Sequence, residues 1–318
     1  MSKKKILSLI GLIIVVLLWG IAPVVSKFLF DHNYYSPALL VGIRGLLSCV
    51  AMLIVILITH GFKEVNKSYW ICIPAGLILG AAYLFQFIGL ETTTPAKNTF
   101  LESMSCVAVP ICMFILVREK PSWISILSCL ACILGVFVLC GKGWDFTAFF
   151  SSPTVGDILS CIGGIFFGID IAFTKVFAKG KNATVYVFFQ LIILTIMSFI
   201  YALPFEKNLA FSWRFEHLVI LIFLGVICTA ICWVLRTACM KNVGAVTCAV
   251  LMPMSAVVAA LTSIIFSIEE FSWNIIAGGL IITISIVLSG IFEALQDKKQ
   301  NELSLKESQI DEQNQCQQ

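Results

Sequence analysis

Ten stretches of roughly 20 apolar residues, joined by short polar connections, restrict this chain more than any other feature of its sequence. They run over residues 6–30, 37–58, 70–90, 96–116, 122–140, 155–177, 184–204, 217–240, 243–266 and 273–293. About 20 such residues are what an α-helix needs to cross roughly 30 Å of hydrocarbon. Charged residues make up only 12% of the 318 positions and hydrophobic ones 59%. Soluble domains carry roughly 25% charge, so this chain could not cover a globule of its size with polar surface. Lipid has to be its solvent. Barrel strands would be about ten residues long and alternate in character; continuous apolar runs of twice that length are helices, whose backbone groups pair within the segment. The expected fold is an all-α integral membrane protein of ten transmembrane helices.

The positive charges orient that bundle. With ten spans, 13 of the 21 Lys and Arg residues fall on the side of the N-terminus and only four, Lys97, Lys142, Lys207 and Arg214, on the other. Such an excess marks the cytoplasmic face, so both termini are expected in the cytoplasm of a cell with the protein in its inner membrane. The first stretch follows Lys3-Lys4-Lys5 but outlasts a signal-peptide core and lacks a small-residue cleavage site, and it reads as a retained helix. Residues 296–318 are rich in Gln, Lys, Glu and Asp; they cannot bury enough surface to offset their ordering entropy and read as a disordered cytoplasmic tail.

The chain is similar to itself. At an offset of 150, Arg118-Glu119-Lys120-Pro121-Ser122-Trp123 aligns with Ile268-Glu269-Glu270-Phe271-Ser272-Trp273, Leu101 with Leu251, Ser105 with Ser255, Tyr83 with Trp233 and Gln86 with Arg236. An offset of 148 pairs Gly20 with Gly168 and Lys27 with Lys175, and one of 146 pairs Arg44 with Gln190. The drifts are expected in loops, which tolerate insertions. Each unit, 1–145 and 146–295, holds five helices. An odd number makes the second enter the membrane from the opposite face, giving two inverted repeats, an arrangement that suits alternating access around a site near the midplane.

Several motifs resemble one family. Leu18-Trp19-Gly20-Ile21-Ala22-Pro23 with Lys27, Ser36-Pro37 followed by Arg44-Gly45, Thr92-Thr93-Thr94-Pro95-Ala96-Lys97, and the two boxes at Glu119 and Glu269 are similar to those of EamA-type ten-helix permeases of the drug/metabolite transporter superfamily. The resemblance spans residues 6–293. It implies a carrier of small organic metabolites, often an exporter, with a central cavity between the helices of both halves. Gln190 in place of a second Arg44, and Asp170 opposite Ala22, depart from a strict duplication.

Ionisable groups deep in a membrane cost at least about 2.5–3.5 kcal/mol and face protein or a wet cavity. The topology assigns Arg44, Gln86 and Glu102 to an outer layer and Asp170, Gln190 and Arg236 to an inner one. Arg44–Glu102 and Asp170–Arg236 are expected as pairs: either gates that open in turn around substrate, or permanent structural ion pairs. Glu102 and Asp170 are the candidate proton-coupling carboxylates, facilitated diffusion being the alternative. Trp19, Tyr83 and Trp233 are the aromatics expected toward the cavity, Tyr83 and Trp233 each preceding a polar partner by three residues on one helix face; ordinary packing or lipid contact is the other reading. Lys27 and Lys175 are expected to snorkel to the interface. Ser122 and Ser272, with Glu119 and Glu269, are expected to cap the fifth and tenth helices.

Thirteen cysteines would suggest a disulfide framework in a short secreted chain, but twelve lie within predicted spans and read as small packing residues. The three histidines are scattered, so no metal site is expected. There is no phosphate-binding loop, no cofactor motif and no nucleic-acid partner to expect. The leading reading is a secondary carrier, exporting or exchanging a small metabolite such as an amino acid or related amphipathic compound. A nucleotide-sugar or cofactor-like cargo would call for more cationic contacts, and a membrane-embedded enzyme for a nucleophile, base or metal constellation that the sequence lacks. The lipid bilayer and a small-molecule substrate are its expected partners, and a homodimer is compatible with them. Reporter fusions at the two termini are expected to be fluorescent as green fluorescent protein and inactive as alkaline phosphatase; opposite behaviour at the two ends would overturn the span assignment.

Overall fold

Prolines set where several of these helices begin. Pro37 and Pro95 each stand at the first helical position, where the missing N–H would have had no intrahelical partner in any case. The chain, in a computed structural model, is described over residues 3–59, 63, 65–118, 120, 122–140, 154–206, 210–268, 270, 271, 273–285 and 288. Its elements are α1 (Lys3–Asp31), α2 (Pro37–Ile58), a 3₁₀ turn (Lys67–Ile71) running into α3 (Cys72–Thr92), α4 (Pro95–Glu102), α5 (Ser105–Val117), α6 (Trp123–Cys140), α7 (Val155–Phe177) and α8 (Ala183–Phe205). There follow α9 (Phe215–Ile222), a π-helix (Phe223–Ile231), α10 (Cys232–Met240), α11 (Ala245–Leu251), α12 (Met254–Ile265) and α13 (Trp273–Ser285). No strand occurs among the described residues.

Eight segments are long and apolar enough to cross a membrane: α1, α2, the 3₁₀ turn with α3, α4–α5, α7, α8, α9 through α10, and α11–α12. This is a multi-pass membrane protein. The fifth and tenth predicted stretches are helical in α6 and α13, but their apolar parts, Ile126–Gly135 and Trp273–Ser285, are shorter than a crossing, so the described residues give eight spans where the sequence suggests ten. Trp70, Trp123, Trp213 and Trp273 stand at helix starts and are each about 70–79% exposed, as expected of rings that anchor helix ends at a membrane–water boundary.

Three predicted spans are not uniform helices. The fourth breaks at Ser103-Met104 and the ninth at Met252-Pro253. At both breaks the bonds tighten to three residues: Ser103 N to Phe100 O, Met104 N to Leu101 O, and Met252 N to Ala249 O. Pro253 has no N–H and its ring excludes the regular α turn before it. The eighth span carries the π-helix, where Thr229 Oγ1 bonds Leu224 O, five residues back, at 2.7 Å.

Helix starts are capped in ways that only partly follow the sequence. Thr154 and Asp157 form a reciprocal capping box on α7, and the Asn182 side chain accepts from Thr184 N and Val185 N on α8. The N-terminus of α2 is capped from elsewhere in the chain: the Glu206 carboxylate accepts from Ala38 N at 2.7 Å and Leu39 N at 3.2 Å. Ser122 directly precedes α6, and its carbonyl accepts from Ile126 N. Glu119, Glu269, Ser272 and the tail at 296–318 lie outside the described residues. Lys27 and Lys175 do not simply reach for an interface. Lys27 Nζ bonds Glu91 O at 2.8 Å, and Lys175 Nζ bonds Met240 O and Val243 O, both at 2.6 Å, because carbonyls left open at helix ends attract a cation.

Helices from the two halves interleave. α3 packs on α7 and α8, α2 on α8 and the π-helix, α4 and α5 on α7, and α1 on α10 and α12. Small residues permit this. A Cβ on Gly20 would lie 2.5 Å from Val258 Cβ and 2.8 Å from Ser255 O; one on Gly168 would lie 2.5 Å from Ala108 Cβ and 3.0 Å from Ser105 O. Gly76 likewise meets Ile193 and Gln190 O, and Gly225 meets Leu47 and Arg44 O. In each case the contacts of one glycine are those of the other moved by about 150 residues. Overpacking such a site costs about 1–3 kcal/mol, so Gly20→Val and Gly168→Val should each lower the thermal unfolding midpoint of purified protein, with Gly279→Ala, whose added methyl would meet Val257 at an ordinary 3.4 Å, serving as the comparison; unchanged melting in both would contradict the packing described.

Candidate functional site

Six elements bring side chains to one cavity. Trp19, Ala22 and Pro23 come from α1, Arg44 from α2, Tyr83, Gln86 and Phe87 from α3, Glu102 from the end of α4, Phe167 from α7 and Trp233 from α10, lining a partly open cleft whose atom-free space, open solvent included, is about 330 Å³. Arg44 is 2% exposed; its Nε donates to Thr229 Oγ1 at 2.9 Å, the hydroxyl that the π-helix turns inward. Its guanidinium lies 5.3 Å from the Tyr83 ring centre and 5.0 Å from that of Phe87, within cation–π range. Arg44 Nη1 is buried with no hydrogen-bond partner among the described residues. Gln86 Nε2 donates to Glu102 Oε2 at 2.7 Å.

Aromatic rings form the floor. Trp233 Nε1 donates to the Tyr83 hydroxyl at 2.6 Å, and Trp19 Nε1 to Cys228 O at 2.8 Å. Trp19 and Trp233 lie 5.0 Å apart between centroids, Tyr83 and Phe167 5.5 Å, and Phe167 and Trp233 6.3 Å. These separations fall in the range of favourable ring pairing, and the indole and phenol groups that would otherwise be stranded are bonded to each other or to backbone.

Beyond this floor sits a second polar cluster. Asp170 Oδ2 accepts from Arg236 Nη1 at 2.8 Å, with Asp170 0% and Arg236 1% exposed. Asp170 Oδ1 accepts from Gln190 Nε2 at 2.6 Å and Thr174 Oγ1 at 3.4 Å. Gln190 also donates to Ala75 O, and Arg236 stacks on Trp233 at 4.5 Å. Ala75 and Gln86 are eleven residues apart on α3, so the clusters are separated by about 16 Å along that helix.

The six polar residues singled out from sequence thus fall into two clusters, Arg44, Gln86 and Glu102 in one and Asp170, Gln190 and Arg236 in the other; Trp19, Tyr83 and Trp233 lie between them. The expected Asp170–Arg236 pair is formed. The expected Arg44–Glu102 pair is not: Gln86 bonds the Glu102 carboxylate, Thr229 and two rings hold the guanidinium, and the cavity is lined by both. Thr229, Phe87 and Phe167 escaped the sequence reading, although Phe167 stands 148 residues after Trp19 and could have been found by the repeat. So did Asp157, which accepts from Lys97 Nζ at 2.6 Å and Thr93 Oγ1 at 2.8 Å and ties the start of α4 to that of α7; the Thr154-x-x-Asp157 capping pattern was its signal.

The sequence profile of the EamA-like transporter family matches twice, over residues 6–141 and 154–291. The chain belongs to that family. Among its relatives, an uncharacterized transporter of Archaeoglobus fulgidus is 27% identical over 195 residues, 61% of this chain. That match spans 58% of the archaeal protein's length. The uncharacterized transporter YoaV of Bacillus subtilis is 21% identical over 286 residues, 88% of this chain and 96% of that one. A crystal structure resembles the EamA-like fold seen here with a TM-score of 0.68 over 90% of this chain and 96% of the other; at 15% identity it speaks for the fold alone. Family and relatives point to a transporter rather than an enzyme.

Removing one member of a buried ion pair leaves a charge without compensation, at a cost of about 3–5 kcal/mol. Arg236→Met and Asp170→Asn should therefore each destabilise the EamA-like bundle strongly, while the double variant should lose clearly less than the two single losses added together. Thermal unfolding of the four proteins measures this; additive losses would mean that the pair is not coupled.

Proposed function

We propose that this protein is a secondary transporter that moves a small amphipathic organic metabolite, of the amino-acid type, across the cytoplasmic membrane by alternating access. The observation that carries the reading is the unequal condition of the two polar clusters. One is drawn together by Asp170, Arg236 and Gln190 and borders no cavity, with Arg236 Nε and Nη2 and Gln190 Oε1 left without a hydrogen-bond partner among the described residues; the other, with Arg44 Nη1 unpaired, lines the cavity with its guanidinium, amide and carboxylate. Arg44 Nη1 suits an anionic group of the cargo, Glu102 a cationic one, and the Trp19, Tyr83, Phe87, Phe167 and Trp233 rings an apolar body.

The same reading takes the chain as ten helices in two inverted five-helix repeats, 1–145 and 146–295, with both termini cytoplasmic. It is supported by the double family match, by the mirrored glycine contacts and by the mirrored lysine contacts of Lys27 and Lys175. Export or exchange would then place Arg44, Gln86 and Glu102 on the outer side. For proton coupling, Glu102 is better situated than Asp170: it faces the cavity with a neutral amide as its donor, whereas Asp170 is locked to a guanidinium.

A charge-assisted hydrogen bond is worth about 1.5–3 kcal/mol, or roughly 10- to 150-fold in affinity. In proteoliposomes screened against a metabolite panel, the transported compound should lose that much apparent affinity with Arg44→Ala, and Glu102→Gln should remove any dependence of uptake on a pH gradient. Near-normal flux in both variants, with folded protein, would defeat the assignment.

A further inference from the structure

The residues just beyond the cavity on its Lys27 side are not used by the substrate site, and their arrangement differs between the two halves. Pro23 on α1 and Phe87 on α3 are the last lining residues on facing walls. Lys27 lies one turn beyond Pro23, and Glu91 one turn beyond Phe87. Lys27 Nζ bridges them by bonding Glu91 O at 2.8 Å. The same ammonium is 3.1 Å from Asp31 Oδ1, four residues on along its own helix, with the Asp31 side chain 49% exposed. Asp31 is the last residue of α1, where an acidic group opposes the helix dipole; the capping logic of the helix does not account for it. Pro23 removes one backbone bond within α1, so the segment after it is a natural hinge. In the other half, Lys175 bridges α7 to two carbonyls, Met240 O and Val243 O, and the residue four positions on is Lys179.

We propose that Lys27 is a positioning residue for the transport cycle, a latch that closes α1 over the cavity by holding the end of α3, and that Asp31 is its release, competing for the same ammonium. The inference rests on the alternating-access reading above. The Lys175 bridge uses two carbonyls and has a lysine where Lys27 has Asp31, so the two ends differ in how readily they open. Removing the latch favours the open Lys27 end; removing the competitor favours the closed one. Because the Lys27–Asp31 pair is partly exposed, salt weakens the release more than it weakens the carbonyl bond.

The test uses the full chain in lipid nanodiscs, with spin labels carried on unnatural amino acids at positions 32 and 94, across the Lys27 end, and in a second sample at 179 and 241, across the Lys175 end. Double electron–electron resonance reads the populations of short and long distances. Lys27→Met should raise the long-distance population at the Lys27 end about two- to five-fold, Lys27→Arg should restore it toward the original, and Asp31→Asn should lower it by a similar factor. High salt should imitate Asp31→Asn in the unsubstituted protein and have little effect in that variant. Asp31 is exposed enough for its substitution to leave the fold intact, so Asp31→Asn decides the matter even if Lys27→Met does not fold. Populations that ignore Asp31→Asn and salt, while the Lys175 end still shows two distances, overturn the latch and leave alternating access standing. One fixed distance at both ends in every sample overturns both.

Discussion

Every peptide group and every charge carried into hydrocarbon has to find its partner within the protein, because the lipid offers none. That requirement sets the positions of the polar side chains here more firmly than any preference for packing. Arg44, Gln86, Asp170, Gln190 and Arg236 are all turned inward and nearly fully buried. The helices that carry them can approach closely because glycines stand at their crossings. Cysteines fill the same small-residue role: Cys106, Cys132, Cys228, Cys232 and Cys248 are buried and free.

Inward placement does not by itself make a site. The two polar clusters begin with similar inventories, an arginine, an amide and a carboxylate each, and end differently. Around Asp170 the donors converge on one carboxylate and leave it no vacancy. Around Glu102 the arginine is drawn aside by Thr229 and two rings, so amide, carboxylate and guanidinium border a space rather than filling it. Tyr83 and Trp233 separate the two environments, each satisfying the other's polar atom. Similar residue types thus give a bonded ion pair in one place and the lining of a cavity in the other, according to what stands beside them.

The sequence made the broad plan legible because the membrane imposes a length, a composition and a charge bias that survive without any alignment. Trp19, Arg44, Tyr83, Gln86, Glu102 and Trp233, which the sequence singled out as a polar layer and cavity-facing aromatics, all border one cavity, since buried polar and aromatic residues at helical spacing have few other places to go. The sequence misjudged the partner of Arg44: two charges assigned to one layer by depth alone still differ in direction around the bundle, and that depends on backbone detail. It passed over Asp157, whose sequence signature is a capping box and whose reach to Lys97 depends on how α4 lies against α7. The breaks at Ser103 and Pro253 were hidden for the same reason, hydropathy being blind to a single turn wound too tightly.

The π-helix marks a difference in length between the two halves. Gly76 and Gly225, which make matching contacts, are 149 residues apart, whereas Tyr83 and Trp233, a little further along the same two helices, are 150 apart. The second stretch is one residue longer than the first, and Phe223–Ile231 is where the extra residue is accommodated. An added residue would turn everything after it by about 100° in an unbroken α-helix and carry Trp233 and Arg236 round toward lipid. A widened turn absorbs that rotation, as π-bulges do elsewhere. The surplus amino acid that spoils the duplication is also what swings a threonine hydroxyl onto Arg44. The likeness between the halves ends there, and the chemical individuality of the cavity begins.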